Sequence, residues 1–212
     1  MSAKKQVPLT VVKRLPRYYR YLSDLLKAGI TRTSSHELSK KMNVTASQIR
    51  QDLNWFGGFG QQGYGYNVEY LYNELKKILG VCDKRNMIII GAGNIGQALA
   101  NYDNFEKRGF LITGIFDINA NIIGTKLRNI QVSHLNDLEE FIKHNHVDIA
   151  ALCVPYDATR DVAFKVANLG IKAIWNFAAM ELDLHKDVVV ENVHLSDNLM
   201  VLLYKLLESR HE

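Results

Sequence analysis

Apolar positions in the first eighty residues recur with a helical period that glycines interrupt. Tyr18, Leu22, Leu25 and Leu26 follow the i, i+4, i+7, i+8 spacing of one buried stripe and predict a helix over 17–28. Pro16 opens it and Gly29 caps it. Ser34-Ser35-His36-Glu37 has capping-box order, in which Ser34 and Glu37 satisfy free backbone donors, and starts a short helix that ends past Met42 at Asn43. Thr45-Ala46-Ser47-Gln48 repeats the signal a few residues later, and two short helices across so tight a turn make a helix-turn-helix pattern. In the second of them Ile49, Leu53 and Phe56 form the inward stripe, leaving Ser47, Gln48, Arg50, Gln51 and Asn54 outward. Gly57–Tyr66 then alternates glycines and aromatics around Gln61-Gln62, the pattern of a tight hairpin with a polar tip, a wing. A helix over 68–79 ends at Gly80, and Val81–Asn86 reads as a linker.

From Met87 the pattern changes. Met87–Ile90 is fully apolar and rich in β-branched residues, as a central parallel strand would be. Further strands are expected over 110–116, 147–154 and 171–175, alternating with helices over 95–102, 135–144 and 157–169. That rhythm predicts an α/β domain with a doubly wound parallel sheet. The last segment, Ser196–Arg210, reads as a capped helix in which eight of the nine residues Leu199–Leu207 are apolar. With no solvated face, it is expected to insert between subunits of a homodimer. Three parts result: 1–80 for DNA binding, 81–195 for a dinucleotide and 196–212 for dimerisation.

Charge sharpens the division. Residues 1–80 carry 13 Lys+Arg against 5 Asp+Glu, and residues 81–212 carry 13 against 17, so the net +4 splits into +8 and −4. A basic module beside an acidic one points to a polyanionic partner for the first. The 47% hydrophobic and 23% charged composition excludes a disordered chain. No apolar run approaches the roughly 20 residues of a membrane span, and nothing behind Met1–Gln6 resembles a secretory signal, so a soluble cytoplasmic protein is expected. Cys82 and Cys153 are too few and too distant for a disulfide framework or a zinc site, and no metal is expected.

The outward set Ser47, Gln48, Arg50, Gln51 and Asn54 can hydrogen-bond base edges, Arg to guanine and Gln or Asn to adenine. The expected hairpin tip, Gln61-Gln62, has no cation, so phosphate contacts fall to Lys4, Lys5, Lys13, Arg14, Arg17, Lys40 and Lys41. In the second module Gly91-Ala92-Gly93-Asn94-Ile95-Gly96 follows a strand and opens a helix, and Asp117 lies 21 residues past Gly96, with Ile118 next. Gly91 makes the turn, Gly93 lets backbone approach a pyrophosphate and Gly96 permits close helix–strand packing. Asp117 would accept from the adenosine ribose hydroxyls and repel a 2′-phosphate, favouring NAD over NADP. The crevice beyond the strand ends is expected at Val154-Pro155 and Asn176-Phe177, with an apolar niche near Tyr102 and Phe177. The histidines form no acid/base pair, so no catalytic residue is expected and the dinucleotide reads as a signal. Two other readings stay open: an NAD-dependent oxidoreductase with a basic appendage, and a DNA-binding protein that senses another nucleotide, such as a coenzyme A derivative.

Several stretches together resemble the redox-sensing transcriptional repressor family Rex, over nearly the whole chain: Arg14–Arg20, Arg32–Leu38, Val44–Leu53, Phe56–Tyr66, Gly91–Leu99, Gly114–Ile118, Cys153–Pro155 and Trp175–Ala178. The resemblance implies a winged-helix domain, a Rossmann domain and a domain-swapped C-terminal helix in a homodimer. It also implies binding to palindromic operator DNA when NADH is scarce and release when NADH binds. The chain departs from the family pattern at Gln51, where lysine is common, at Gln61-Gln62, where basic residues are common, and at His194, where aspartate is common. In the family that aspartate joins an Arg and a Tyr, matching Arg20 and Tyr102, in an ion-paired switch that a histidine does not reproduce.

Overall fold

The computed structural model describes residues 7–61 and 64–209. Lys4, Lys5, Gln62, Arg210 and His211 lie outside the described residues. The chain divides into two compact units, Met1–Asp83 and Lys84–Glu212.

In the first unit the order is α1 (Leu9–Val12), α2 (Leu15–Lys27), β1 (Arg32–Thr33), α3 (Ser35–Met42), α4 (Ala46–Asn54), β2 (Gly60–Gln61), β3 (Gly65–Asn67) and α5 (Val68–Ile78). The expected stripe packs as one core: Tyr18 and Leu22 of α2 meet Leu38, Ile49, Leu53, Leu71 and Leu75. Each such side chain contributes roughly 1.5–3 kcal/mol by leaving water. Both halves of the Ser34–Glu37 box form, and Asn43 takes the left-handed φ of 52° that ends α3. At α4 only half of the second box forms: Thr45 Oγ1 accepts from Gln48 N–H at 3.1 Å, while the Gln48 amide turns elsewhere.

The hairpin is part of a three-stranded antiparallel sheet, because β1 pairs with β3 at Arg32↔Asn67 and Thr33↔Tyr66. A two-residue strand carries no periodic signal, and β1 was not expected from the sequence. Gly65 makes the pairing possible: it has φ +69°, and a Cβ there would lie 2.5 Å from the Thr33 carbonyl oxygen.

The second unit runs β4 (Arg85–Ile90), α6 (Asn94–Ala100), α7 (Asn104–Lys107), β5 (Phe110–Asp117), β6 (Lys126–Leu127), β7 (Ile130–His134), a 3-10 turn, α8 (Leu138–His144), β8 (Ile149–Leu152), α9 (Tyr156–Asn168), β9 (Ala173–Asn176), β10 (Val189–Asn192) and α10 (Leu195–Glu208). The sheet order is β10-β9-β8-β4-β5-β7-β6, parallel except for the antiparallel edge strand β6. Counted along the chain, the six parallel strands lie in the order 3-2-1-4-5-6, which reverses between β4 and β8. Arg85 and Asn86 belong to β4 rather than to a linker. The sequence reading lacked β6, β7 and β10, which are short, partly polar and placed at the sheet margins.

Alternation in β4 sends Ile88 and Ile90 to one face, against Phe116, Leu138 and the α9 residues Val162, Ala163 and Val166. Met87 and Ile89 go to the other face with Ala100 of α6 and Ile115. On that second face an apolar cavity of about 320 Å³ opens among Met87, Phe105, Ile149, Ala173, Trp175 and Val189. The apolar C-terminal helix does not fill it. α10 has no buried residue, and Leu199 to Leu203 are 52–66% exposed. It begins at Leu195 with no side-chain cap, so Ser196 does not cap it as the sequence had suggested.

Candidate functional site

In the first unit α4 presents a polar, largely exposed face. Ser47, Arg50, Gln51 and Asn54 are exposed along it, as expected, and Gln48 is half-buried. Arg50 reaches back to Ser35, its Nη1 donating to Oγ at 2.9 Å. Lys40 and Lys41 stand exposed in the last turn of α3. Arg17 is exposed and donates from Nη2 to the Met42 carbonyl at 2.7 Å. Gln61 falls in β2.

Arg14 has a different place from the phosphate contact expected of it. Its Nε and Nη2 donate to Asp52 Oδ2 and Oδ1 at 2.6 and 2.7 Å, so the guanidinium fork is committed to a carboxylate with no exposed surface. Tyr18 Oη donates to Oδ2 at 2.6 Å and Gln48 Nε2 to Oδ1 at 2.9 Å. Burial alone would raise the Asp52 pKa, but the bonds from Arg14, Tyr18 and Gln48 outweigh it and hold the carboxyl below its ordinary range. Asp52 is the residue that sequence reasoning missed here; a polar side chain within Gln51-Asp52-Leu53 looks solvent-facing until its partner 38 positions away is known.

In the second unit the strand ends build a cleft of about 600 Å³ at the point where strand order reverses. Of the expected residues, Gly91, Gly93, Asn94, Ile95, Asp117, Ile118, Val154 and Pro155 line it. The glycines divide the work. A Cβ at Gly91 would lie 2.5 Å from the Cys153 carbonyl oxygen, and one at Gly96 only 1.9 Å from the Gly91 carbonyl oxygen. At Gly93 nothing lies within 4 Å, which leaves open space over the turn for a ligand. Ala92 is buried and acts through its backbone, its N–H donating to Asp117 Oδ2 at 2.6 Å. The other oxygen of Asp117 accepts from the N–H of Asn119 at 2.8 Å. The carboxylate is thus fixed at the cleft edge with lone pairs to spare for a diol. Among the described residues no Lys or Arg lines the cleft. Open space at Gly93, a fixed acceptor and no cation for an extra phosphate fit NAD(H).

Other expected residues stand apart. Asn176 is buried and both of its amide N–H groups are spent: Nδ2 donates to the Met180 carbonyl and to Asn192 Oδ1, and Oδ1 accepts from Ala178 N–H. It therefore clamps the ends of β9 and β10. Tyr102 and Phe177 are not in the cleft lining but end one aromatic series, Tyr102–Phe105–Trp175–Phe177, with centroid separations of 4.8, 5.7 and 4.5 Å. Cleft residues that the sequence reading had not assigned to the ligand include Asn119, Ile122, Leu135, Ala158 and Cys153. Asn119 was the most findable, two positions beyond the acidic residue of the motif. Burial pushes the Cys153 thiol up to about 12. Among the described residues no group of three or more His, Cys, Asp or Glu could hold a metal, and no helix is long and apolar enough to cross a membrane.

Known proteins match both units. The family model "Putative DNA-binding protein N-terminus" matches residues 6–54, and "CoA binding domain" matches 82–180. The redox-sensing transcriptional repressor Rex of Thermoanaerobacter pseudethanolicus is 57% identical over 208 residues, covering 98% of this chain and 93% of its own. The Rex protein of Clostridium perfringens is 52% identical over 206 residues, 97% of each chain. The chain belongs to the Rex family of redox-sensing transcriptional repressors. A crystal structure of RSP, a Rex-family repressor, in complex with β-NAD+ and operator DNA superposes with a TM-score of 0.90 at 56% identity, covering 97% of this chain and 95% of that one. RSP in complex with β-NADH matches equally well, with 53% identity over 97% of each chain. The fold is thus a Rex fold, a winged-helix unit followed by a Rossmann unit, and these relatives are repressors rather than enzymes.

Proposed function

We propose that this Rex-family chain acts in the cytoplasm as a homodimer that binds palindromic operator DNA and leaves it when NADH occupies the cleft. The observation that carries the reading is the pairing, in one chain, of an α4 face with exposed Arg50, Gln51 and Asn54 and a cleft whose fixed acceptor is Asp117. Solved relatives that hold operator DNA and either form of the dinucleotide support it.

The proposed roles follow the geometry. Arg50, Gln51, Asn54, Ser47 and Gln48 face base edges, while Arg17, Lys40 and Lys41 serve phosphates. Asp117 accepts from the adenosine ribose, and the turn from Gly91 to Gly93 receives the diphosphate. When bound, the dinucleotide supplies a ligand signal and undergoes no turnover. Oxidised nicotinamide is a cation and reduced nicotinamide is neutral, so apolar cleft side chains such as Ile122, Leu135 and Val154 disfavour the oxidised form by desolvation.

Dimer formation is supported by α10, whose exposed leucines have no place in their own chain, and by the apolar cavity beside Trp175 and Val189. A two-fold dimer presents two copies of α4 at a fixed spacing, which suits a palindrome. Coupling is reciprocal, so DNA must weaken NADH binding by the factor by which NADH weakens DNA binding.

The test is fluorescence anisotropy on a palindromic duplex, titrated separately with NADH, NAD+ and coenzyme A. Release by NADH at concentrations where NAD+ leaves the complex intact is expected. An NADH affinity that is equal with and without the duplex refutes the coupling, and release by coenzyme A alone refutes the assignment of the ligand.

A further inference from the structure

The carboxylate of Asp52 is saturated. Oδ1 accepts from Arg14 Nη2 at 2.7 Å and Gln48 Nε2 at 2.9 Å, and Oδ2 accepts from Arg14 Nε and Tyr18 Oη, both at 2.6 Å. A carboxylate accepts and never donates, so Gln48 must turn its NH2 group toward Asp52 and not its carbonyl. That settles which way round the amide stands. One N–H of Nε2 is spent inward, which leaves the second N–H and the carbonyl oxygen, one donor beside one acceptor. Adenine presents their complement in the major groove, an N6–H donor beside the N7 acceptor.

Position agrees with this polarity. Gln48 is the third residue of α4, and the N-terminal residues of a recognition helix are the ones that reach base edges. Its backbone is held as well, because its N–H donates to Thr45 Oγ1 at 3.1 Å. Arg14 immediately precedes α2 and Tyr18 lies in its first turn, so the network ties the orientation of this amide to a second helix. A long polar side chain is thereby immobilised before it meets DNA, which reduces what ordering it would cost on binding.

We propose that Asp52 is a positioning residue that holds Gln48 to read one adenine–thymine pair in each operator half-site. The inference rests on α4 being the recognition helix of the proposed function.

The experiment uses the full-length protein and a duplex enriched from a random library by the wild type. Affinities are measured for that duplex, for its single-base-pair variants and for a scrambled sequence. Gln48→Ala should erase roughly tenfold discrimination at one A·T position per half-site and leave every other position within about twofold. Asp52→Asn should erase discrimination at that same position while affinity for the scrambled duplex holds within about threefold, and the double variant should lose nothing further there. If Asp52→Asn does not fold, Tyr18→Phe, which removes one bond to the carboxylate and leaves Arg14 in place, should weaken discrimination at that position alone. Unchanged discrimination in Gln48→Ala, or a loss centred on a G·C pair, overturns the proposal. So does an Asp52→Asn effect that is uniform over all positions and additive with Gln48→Ala, the behaviour of a purely structural residue. Failure of the wild type to enrich any palindrome would instead show, before any variant is made, that the DNA-reading assignment had failed.

Discussion

Asp117 and Ala92 are joined across the cleft edge: the Ala92 N–H donates to Asp117 Oδ2 at 2.6 Å, tying the end of β5 to the glycine turn after β4. The residue that would hold a ribose is thus anchored to the loop that would hold the diphosphate. Asp117→Ala should weaken NADH binding at least about tenfold by removing both the acceptor and its negative charge. Discrimination against NADPH should shrink in the same variant. Titration calorimetry with NADH, NADPH and coenzyme A checks both, and an unchanged NADH affinity would remove Asp117 from the site.

Gly93 and Gly96 should respond oppositely to alanine. At Gly96 the new Cβ would stand 1.9 Å from the Gly91 carbonyl oxygen, so backbone must move and the Rossmann unit should melt several degrees lower. At Gly93 nothing lies within 4 Å and φ is −71°, so alanine should leave the melting temperature within a degree or two. Gly93→Ala should nonetheless weaken NADH binding, because it fills the space here proposed for the diphosphate. Thermal melts with and without NADH separate the two cases.

Acid should attack the winged-helix unit through Asp52. Its carboxyl is held below the usual range, so its contribution is present above the unfolded-state value of about 4 and is lost as pH falls through the lower folded value. Arg14→Ala should cost roughly 3 kcal/mol near neutral pH, because it leaves a buried carboxylate without its cation. Denaturant titrations between pH 7 and pH 3 should show a shallower loss of stability in the variant than in the parent. Equal slopes would mean that another carboxylate governs acid unfolding.

Leu202 lies 62% exposed in the middle of α10. Leu202→Glu should leave each unit folded and convert a dimer to a monomer in light scattering, with loss of tight operator binding. A dimer unaffected by the charge would place the subunit contact elsewhere.

The two thiols should react at very different rates. Cys82 is exposed, whereas the Cys153 thiol is pushed up to about 12 by burial at the cleft wall. Thiolate is the reactive form, so a disulfide reagent at pH 8 should label Cys82 first and Cys153 slowly. NADH should slow Cys153 further and leave Cys82 alone; protection of Cys82 instead would contradict the location of the ligand.

Much of this was legible in the chain because local rules and tertiary packing agree. The Ser34–Glu37 box, the stripe of α2 and the strand–glycine–helix passage from Met87 to Ala100 are local patterns, and each occurs where its spacing implies. What escaped notice depends on distant partners. Asp52 is buried because Arg14, 38 positions earlier, meets it, and β1 exists because Gly65 lets a later strand approach Thr33. Asn176, expected at the ligand, is occupied by Asn192 and by its own loop. Sequence spacing pointed to the end of β9 but could not show which atoms there are already paired within the chain.

The bare leucines of α10 also bear on how such a chain is made in the cell. In the dimer proposed above, a freshly translated copy carries an oily rod until a companion arrives, and is prone to clump with anything similarly uncovered. Synthesis at low abundance, as suits a regulator, lengthens that wait. Folding yield should therefore rise with expression over the range in which copies find one another before they meet strangers.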